Sequence, residues 1–135
     1  MKKIIIFLVC VVMILSLSAC GGGNVKNVNV VDVESEIYTS DNINSAIETI
    51  KKEFDKDWKG CTLKEIYYAG DETSKDYQDW ADRNDADEVI VLLSSFDVDS
   101  SGGDGSLNPN STYDGWNWIL VRNTGGQWKH VDHGY

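Results

Sequence analysis

The chain is poor in the residues that usually announce chemistry. It has two histidines, His130 and His133, and three cysteines. It contains no Gly-x-Ser-x-Gly elbow, phosphate loop or dinucleotide fingerprint, and no internal repeat. Its single proline, Pro109, lies in Asn108-Pro109-Asn110, which is turn chemistry. Basic residues are also scarce, at 12 against 22 acidic ones. That balance excludes nucleic acid, whose phosphates it would repel, and excludes electrostatic adhesion to anionic lipid. Its simplest consequence is solubility. With so many carboxylates, no single nearby pair is evidence for glycoside chemistry.

Long apolar runs are missing too. The longest, Ile4 to Leu15, is twelve residues, too short for a permanent span of ~20. It follows Lys2-Lys3 and precedes Ser16-Leu17-Ser18-Ala19. The order basic, apolar, small predicts a secretory signal peptide over residues 1–19, the alternative being an uncleaved anchor. Without it, ten basic and twenty-two acidic residues remain.

Leu17-Ser18-Ala19-Cys20 resembles the lipobox of bacterial lipoproteins. The resemblance implies that the Cys20 thiol carries a diacylglyceryl group, with acyl chains such as palmitate, after cleavage just before it. Each buried CH₂ contributes about 0.8 kcal/mol, so two chains hold stably where one holds weakly. The expected address is the outer face of a cell membrane, with the membrane engaged through the lipid. Residues 20–38, opening with Gly21-Gly22-Gly23, read as a flexible tether. The alternative is an early strand built from Val25, Val28, Val30, Val31 and Val33.

Cys10 belongs to the signal and Cys20 to the lipid site, so Cys61 is left without a disulfide partner. It reads as a small buried hydrophobe.

The expected domain covers 39–135, enough for one modest core. Ile43, Ile47, Ile50, Phe54 and Trp58 form one stripe at helical period, predicting a helix over 40–59. Ser40 or Asp41 suits its N-cap, Gly60 its left-handed end, and Trp58 its core face. Residues 61–68 read as a strand with a bulge near Glu65. Residues 74–84 read as a short acidic helix with Tyr77, Trp80 and Ala81 on one edge. The run Val89 to Leu93 predicts a central strand, 88–96, covered on both faces. Strands over 116–122 and 127–133 flank a turn at Asn123-Thr124-Gly125-Gly126. The predicted class is α+β, a small antiparallel sheet of about four strands on one long and one short helix.

"SSGGDGSLNPNSTY", "WNWILVRN", Trp128 and the closing Gly134-Tyr135 resemble uncharacterised lipoproteins of Gram-positive bacteria. A similar segment is attached outside the membrane to sensor-type metallopeptidases. No catalytic residues come with that resemblance. The layout is also similar to the nuclear-transport-factor-like or cystatin-like roll, which implies a long helix wrapped by a curved sheet. This chain is short for such a roll.

Three constellations remain. Asp97, Asp99, Ser101 and Asp104 begin an EF-hand-type calcium loop over 97–108. The pattern lacks the closing bidentate glutamate, since Asn108 stands there, and it lacks helical flanks. It implies no cofactor beyond weakly held calcium, and the simpler reading is an ordered connection. The stretch 99–115 is long for a compact domain, which is also a property of binding loops. Tyr113, Trp116 and Trp118 offer flat apolar area for sugar rings, or a core face. His130 and Asp132 share a face of a regular strand and could pair as acid and base, whereas His133 points away. The expected function is a non-catalytic binding or sensing domain in the cell envelope. The competing class is a small hydrolase using His130 and Asp132.

Overall fold

The computed structural model describes residues 22–135; the expected signal peptide and Cys20 lie outside the described residues. Among the described residues the architecture is α+β, with five strands and three helices. In chain order these are β1 (Asn29–Val31), α1 (Ser40–Asp57), β2 (Cys61–Tyr68), α2 (Asp71–Asp76), α3 (Gln78–Arg83), β3 (Glu88–Val98), β4 (Thr112–Arg122) and β5 (Lys129–Gly134). The strands lie in sequence order across one sheet. β1 runs parallel to β2, and the other neighbours are antiparallel. The sheet is therefore mixed and five-stranded, where an antiparallel sheet of about four was expected. Among the described residues no helix is long and apolar enough to cross a membrane.

The additional strand comes from the stretch read as a tether. Val30 and Val31 pair with Ile66 and Tyr67. Asn24 bridges Thr62, and the Gly23 amide donates to the Phe54 carbonyl at 3.0 Å. The glycines here serve close approach. A Cβ on Gly22 would meet the Asp55 carbonyl oxygen at 1.9 Å, and one on Gly23 the Phe54 oxygen at 2.4 Å. The tether reading is thus corrected over residues 22–38, which dock onto α1 and β2.

The helical stripe behaves as its period dictates. Ile43, Ala46, Ile47, Ile50 and Phe54 are buried. They pack on Leu63, Ile66, Ile90, Leu92, Phe96, Trp118 and Leu120 of the sheet. Thr39 supplies the cap, accepting from the Asn42 amide at 3.2 Å, one residue before the expected position. The helix ends two residues earlier than predicted, and Gly60 turns the chain at φ +76°.

The opposite face carries a smaller core of Ala81, Val89, Ile119 and Val121, flanked by Tyr77, Trp80 and Val131. One acidic helix over 74–84 was expected, with both helices on one side of the sheet, but the acidic segment covers this opposite face. It forms two short helices, interrupted at Tyr77 (φ −101°, ψ 12°). With both faces covered, β3 is the third strand of five, and Val89 to Leu92 are all buried.

Three register shifts bend the sheet. They fall between Leu63 and Glu65 on β2, where one was expected, between Tyr113 and Trp116 on β4, and between His130 and Asp132 on β5. An extra residue on one strand re-aims every side chain beyond it and increases local twist. The first two flank Ser95 of β3 on either side, so they act along one row of the sheet.

Candidate functional site

The β5 bulge decides which side chains meet. Asp132 opposes Ile119, and His130 opposes Leu120. Val131 is the inserted residue, and it joins the core behind the sheet. His133 therefore returns to the α1 side. Its ring lies 5.2 Å from that of His130 and 5.4 Å from that of Trp118, centroid to centroid. His133 Nδ1 is 3.2 Å from His130 Nε2.

The expected His130–Asp132 pair is corrected by the same bulge. His130 Nε2 meets the Asp132 backbone carbonyl at 3.0 Å, not its carboxylate. The Asp132 side chain lies behind the sheet, in a hollow with Tyr77, Trp80 and Ile119. The carboxylate on His130 is Glu53, which reaches Nδ1 from α1. Glu53 sits one residue before the buried Phe54, on the flank of the helix that overhangs β5.

Around the histidines runs a chain of aromatic rings. Trp58 stacks on Phe54 at 5.4 Å and crosses Trp116 edge to face at 6.0 Å. His133 stacks on Trp116 at 5.9 Å and meets Trp58 edge-on at 5.2 Å. Tyr113 stacks on Phe96 and Tyr135, and Tyr135 closes against Trp116.

A cleft of about 280 Å³ opens beside these rings. Its aromatic walls are Trp58, Trp116 and His133; its polar groups include Asp57, Lys59, Asp104 and Ser106. Of the three aromatics expected at a ligand platform, Trp116 alone lines it. Trp118 is fully buried, with its indole N–H donated to Ser94 Oγ at 2.7 Å, so it belongs to the core. Tyr113 takes a supporting place, its hydroxyl accepting from the Asn108 amide at 3.1 Å. Trp58, expected on the core face, is half-buried: it packs against the main core and also forms a wall of the cleft. Its period marks it as apolar, and as the C-cap residue just after Asp57 it stays partly exposed.

The Trp116 indole nitrogen is buried without a hydrogen-bond partner. A buried donor left unmade costs about 1–3 kcal/mol. Such a group in a native fold calls for an explanation, and a ligand that accepts from it is one.

The 99–111 connection forms the remaining wall. The Asp99 amide donates to the Gly60 carbonyl, and the Asn110 amide donates to the Asp99 carbonyl, both at 2.9 Å. Gly102 and Gly103 take left-handed φ of +72° and +67°. That turn carries Leu107 inward against the main core and places Gly103, Asp104 and Ser106 at the cleft. The connection is ordered, and shorter than expected because β4 starts at Thr112.

Its acidic residues do not converge. Asp99 accepts from the Ser101 amide at 2.9 Å, and Asp104 from the Ser106 amide at 2.9 Å. Asp97 accepts from Thr112 Oγ1 at 2.6 Å. Each carboxylate closes its own turn or strand end, and the serine hydroxyls hold Asp99 and Asp104 below the usual carboxylate range. Among the described residues no three His, Cys, Asp or Glu side chains are grouped to hold a metal.

Cys61 lines the same cleft. Burial, then the Asp99 and Asp104 charges, push its thiol up to about 11. Near neutral pH it is protonated, and the thiol form is not the nucleophile. His133 moves the other way: burial, then the neighbouring His130, hold it below the ordinary histidine value. Comparison with protein-family models, with curated proteins and with solved structures found no match to the chain.

Proposed function

We propose that the chain is a lipid-anchored, extracytoplasmic binding protein of the cell envelope, and that its ligand enters the Trp58–Trp116–His133 cleft. The observation that carries this reading is the buried, unpartnered indole N–H of Trp116, a residue that lines the cleft. The ligand class is a polyhydroxylated ring. Aromatic walls offer flat apolar area to the face of a sugar. Asp57 and Asp104 accept from hydroxyls, and Lys59 donates to ring or carbonyl oxygens. The volume suits one such ring, and small-ligand sites combine apolar walls with a few polar groups in this way.

Anchoring rests on Cys20 and the basic, apolar, small order before it. α1 held against a sheet bent by three bulges supports a cystatin-like roll. Two experiments test the proposal. Mass spectrometry of the N-terminus should find a diacylated Cys20, and an unmodified cysteine refutes the anchor. Titration of the full chain with cell-wall saccharides should give binding that Trp58→Ala weakens at least tenfold. Equal affinity in wild type and variant refutes the cleft.

A further inference from the structure

One proton fits at the His130–His133 contact, and a second does not. His130 Nδ1 faces the Glu53 carboxylate, an acceptor, so this nitrogen carries a hydrogen. His130 Nε2 and His133 Nδ1 stand 3.2 Å apart, and the Asp132 carbonyl lies 3.0 Å from the former. The 3.2 Å gap between the two nitrogens holds a single hydrogen, whichever ring supplies it. When both rings are cations, two N–H groups face each other across it and two positive rings stand 5.2 Å apart. Among the described residues, Glu53 is the one carboxylate hydrogen-bonded to the pair.

The ring that must yield is a cleft wall. His133 lies on Trp116 and against Trp58, and it is followed by Gly134 (φ +133°) and Tyr135. The backbone here is paired with β4, so what can move is the His133 ring, beside a Tyr135 side chain that is 78% exposed. His130 is different: only 12% of its side chain is exposed, and Glu53 fastens it to α1.

We propose that His133 is a proton-controlled wall of the cleft: in mild acid it takes up a proton, leaves Trp116 and Trp58, and releases the ligand. The inference rests on the cleft being the binding site. His130 beside it, Asp132 behind the sheet on its own strand and Glu53 on α1 act on His133 by charge. Asp57 at the end of α1, Lys59 after it, Cys61 on β2 and Asp104 on the loop share the cleft that His133 lines. Burial and His130 oppose the proton, while Asp132 and Glu53 favour it.

The test is a proton-NMR titration of the full chain from pH 8 to pH 4.5. With two histidines in the sequence, two ring resonances report, and the indole N–H of Trp116 reports the stack. The Trp116 signal should move with the His133 midpoint, and His133→Gln should abolish that movement. His130→Gln should shift the His133 midpoint upward, because a like charge is removed. Glu53→Gln, at a partly exposed helix position that leaves the core untouched, should shift it downward. A Trp116 signal indifferent to His133, or a midpoint unmoved in both variants, overturns the proposal. Saccharide titration at pH 7.5 separates the two readings. If no saccharide binds but the coupled step remains, the ligand assignment falls and the switch stands.

Discussion

Trp118 donates its indole N–H to Ser94 Oγ at 2.7 Å, and neither residue reaches water. The pair crosses from β4 to β3 inside the main core, beneath the cleft. Ser94→Ala should leave a buried donor without a partner and destabilise the domain by about 1–3 kcal/mol. Adding Trp118→Phe should not increase the loss by the full cost of the lost indole, because the stranded donor goes with it. Urea denaturation of the single and double variants checks this. Strict additivity would show that the hydrogen bond carries no weight.

The helix phase gives a second prediction. Ile47 is 2% exposed on the buried face of α1, whereas Glu48 is exposed and paired only with Lys51 at 3.3 Å. Ile47→Asp should bury an unpaired charge and unfold the domain. Glu48→Lys should change stability by no more than about 0.5 kcal/mol. Chemical denaturation distinguishes them, and similar midpoints would contradict the packing of α1.

Alkaline pH should destabilise the fold. Burial raises the Cys61 thiol to about 11 and the Tyr68 hydroxyl to about 12, and raises Tyr38 as well. Each group ionises earlier in the unfolded chain, so its contribution is complete below its unfolded value and is lost as pH rises toward the folded one. For Cys61 the window opens near 9 and closes near 11. Thermal midpoints from pH 7.5 to pH 11 should fall, and Cys61→Ala should flatten the first part of that fall. A midpoint constant to pH 11 contradicts the assignment.

Calcium should act weakly on the 97–108 stretch. Asp97, Asp99 and Asp104 each serve a separate hydrogen bond, so convergence on one ion would break local turns. An affinity in the range of extracellular modules, a Kd of ~10⁻⁴ to 10⁻³ M, gives only about 0.4 to 1.4 kcal/mol at 1 mM calcium. The double variant Asp97→Asn, Asp99→Asn should remove that shift and still fold, since asparagine keeps the turn-capping oxygen. Stoichiometric micromolar binding in calorimetry, lost in the double variant, would make the loop a metal site.

What the sequence determined is what repeats along it. The helical stripe from Ile43 to Phe54, the central strand at Val89 to Leu92 and the left-handed turn at Gly60 were legible because one period or one residue type decides each. The bulge near Glu65 was legible too, as a break in strict alternation. Contacts between distant segments were not. The triglycine after Cys20 reads as spacer by composition, yet Gly22 and Gly23 sit where no Cβ fits against α1. The valines after the triglycine offered an early strand only as the alternative reading, and it is the edge of β2 that makes Val30 and Val31 one. The site was the least legible part. A regular strand puts His130 with Asp132, and one inserted residue, Val131, puts it with His133 instead. Glu53 completes the group from seventy-seven residues away. Strand period is a local property, whereas a bulge and a partner on another element are chosen by packing, so only the tertiary structure decided which side chains face the cleft.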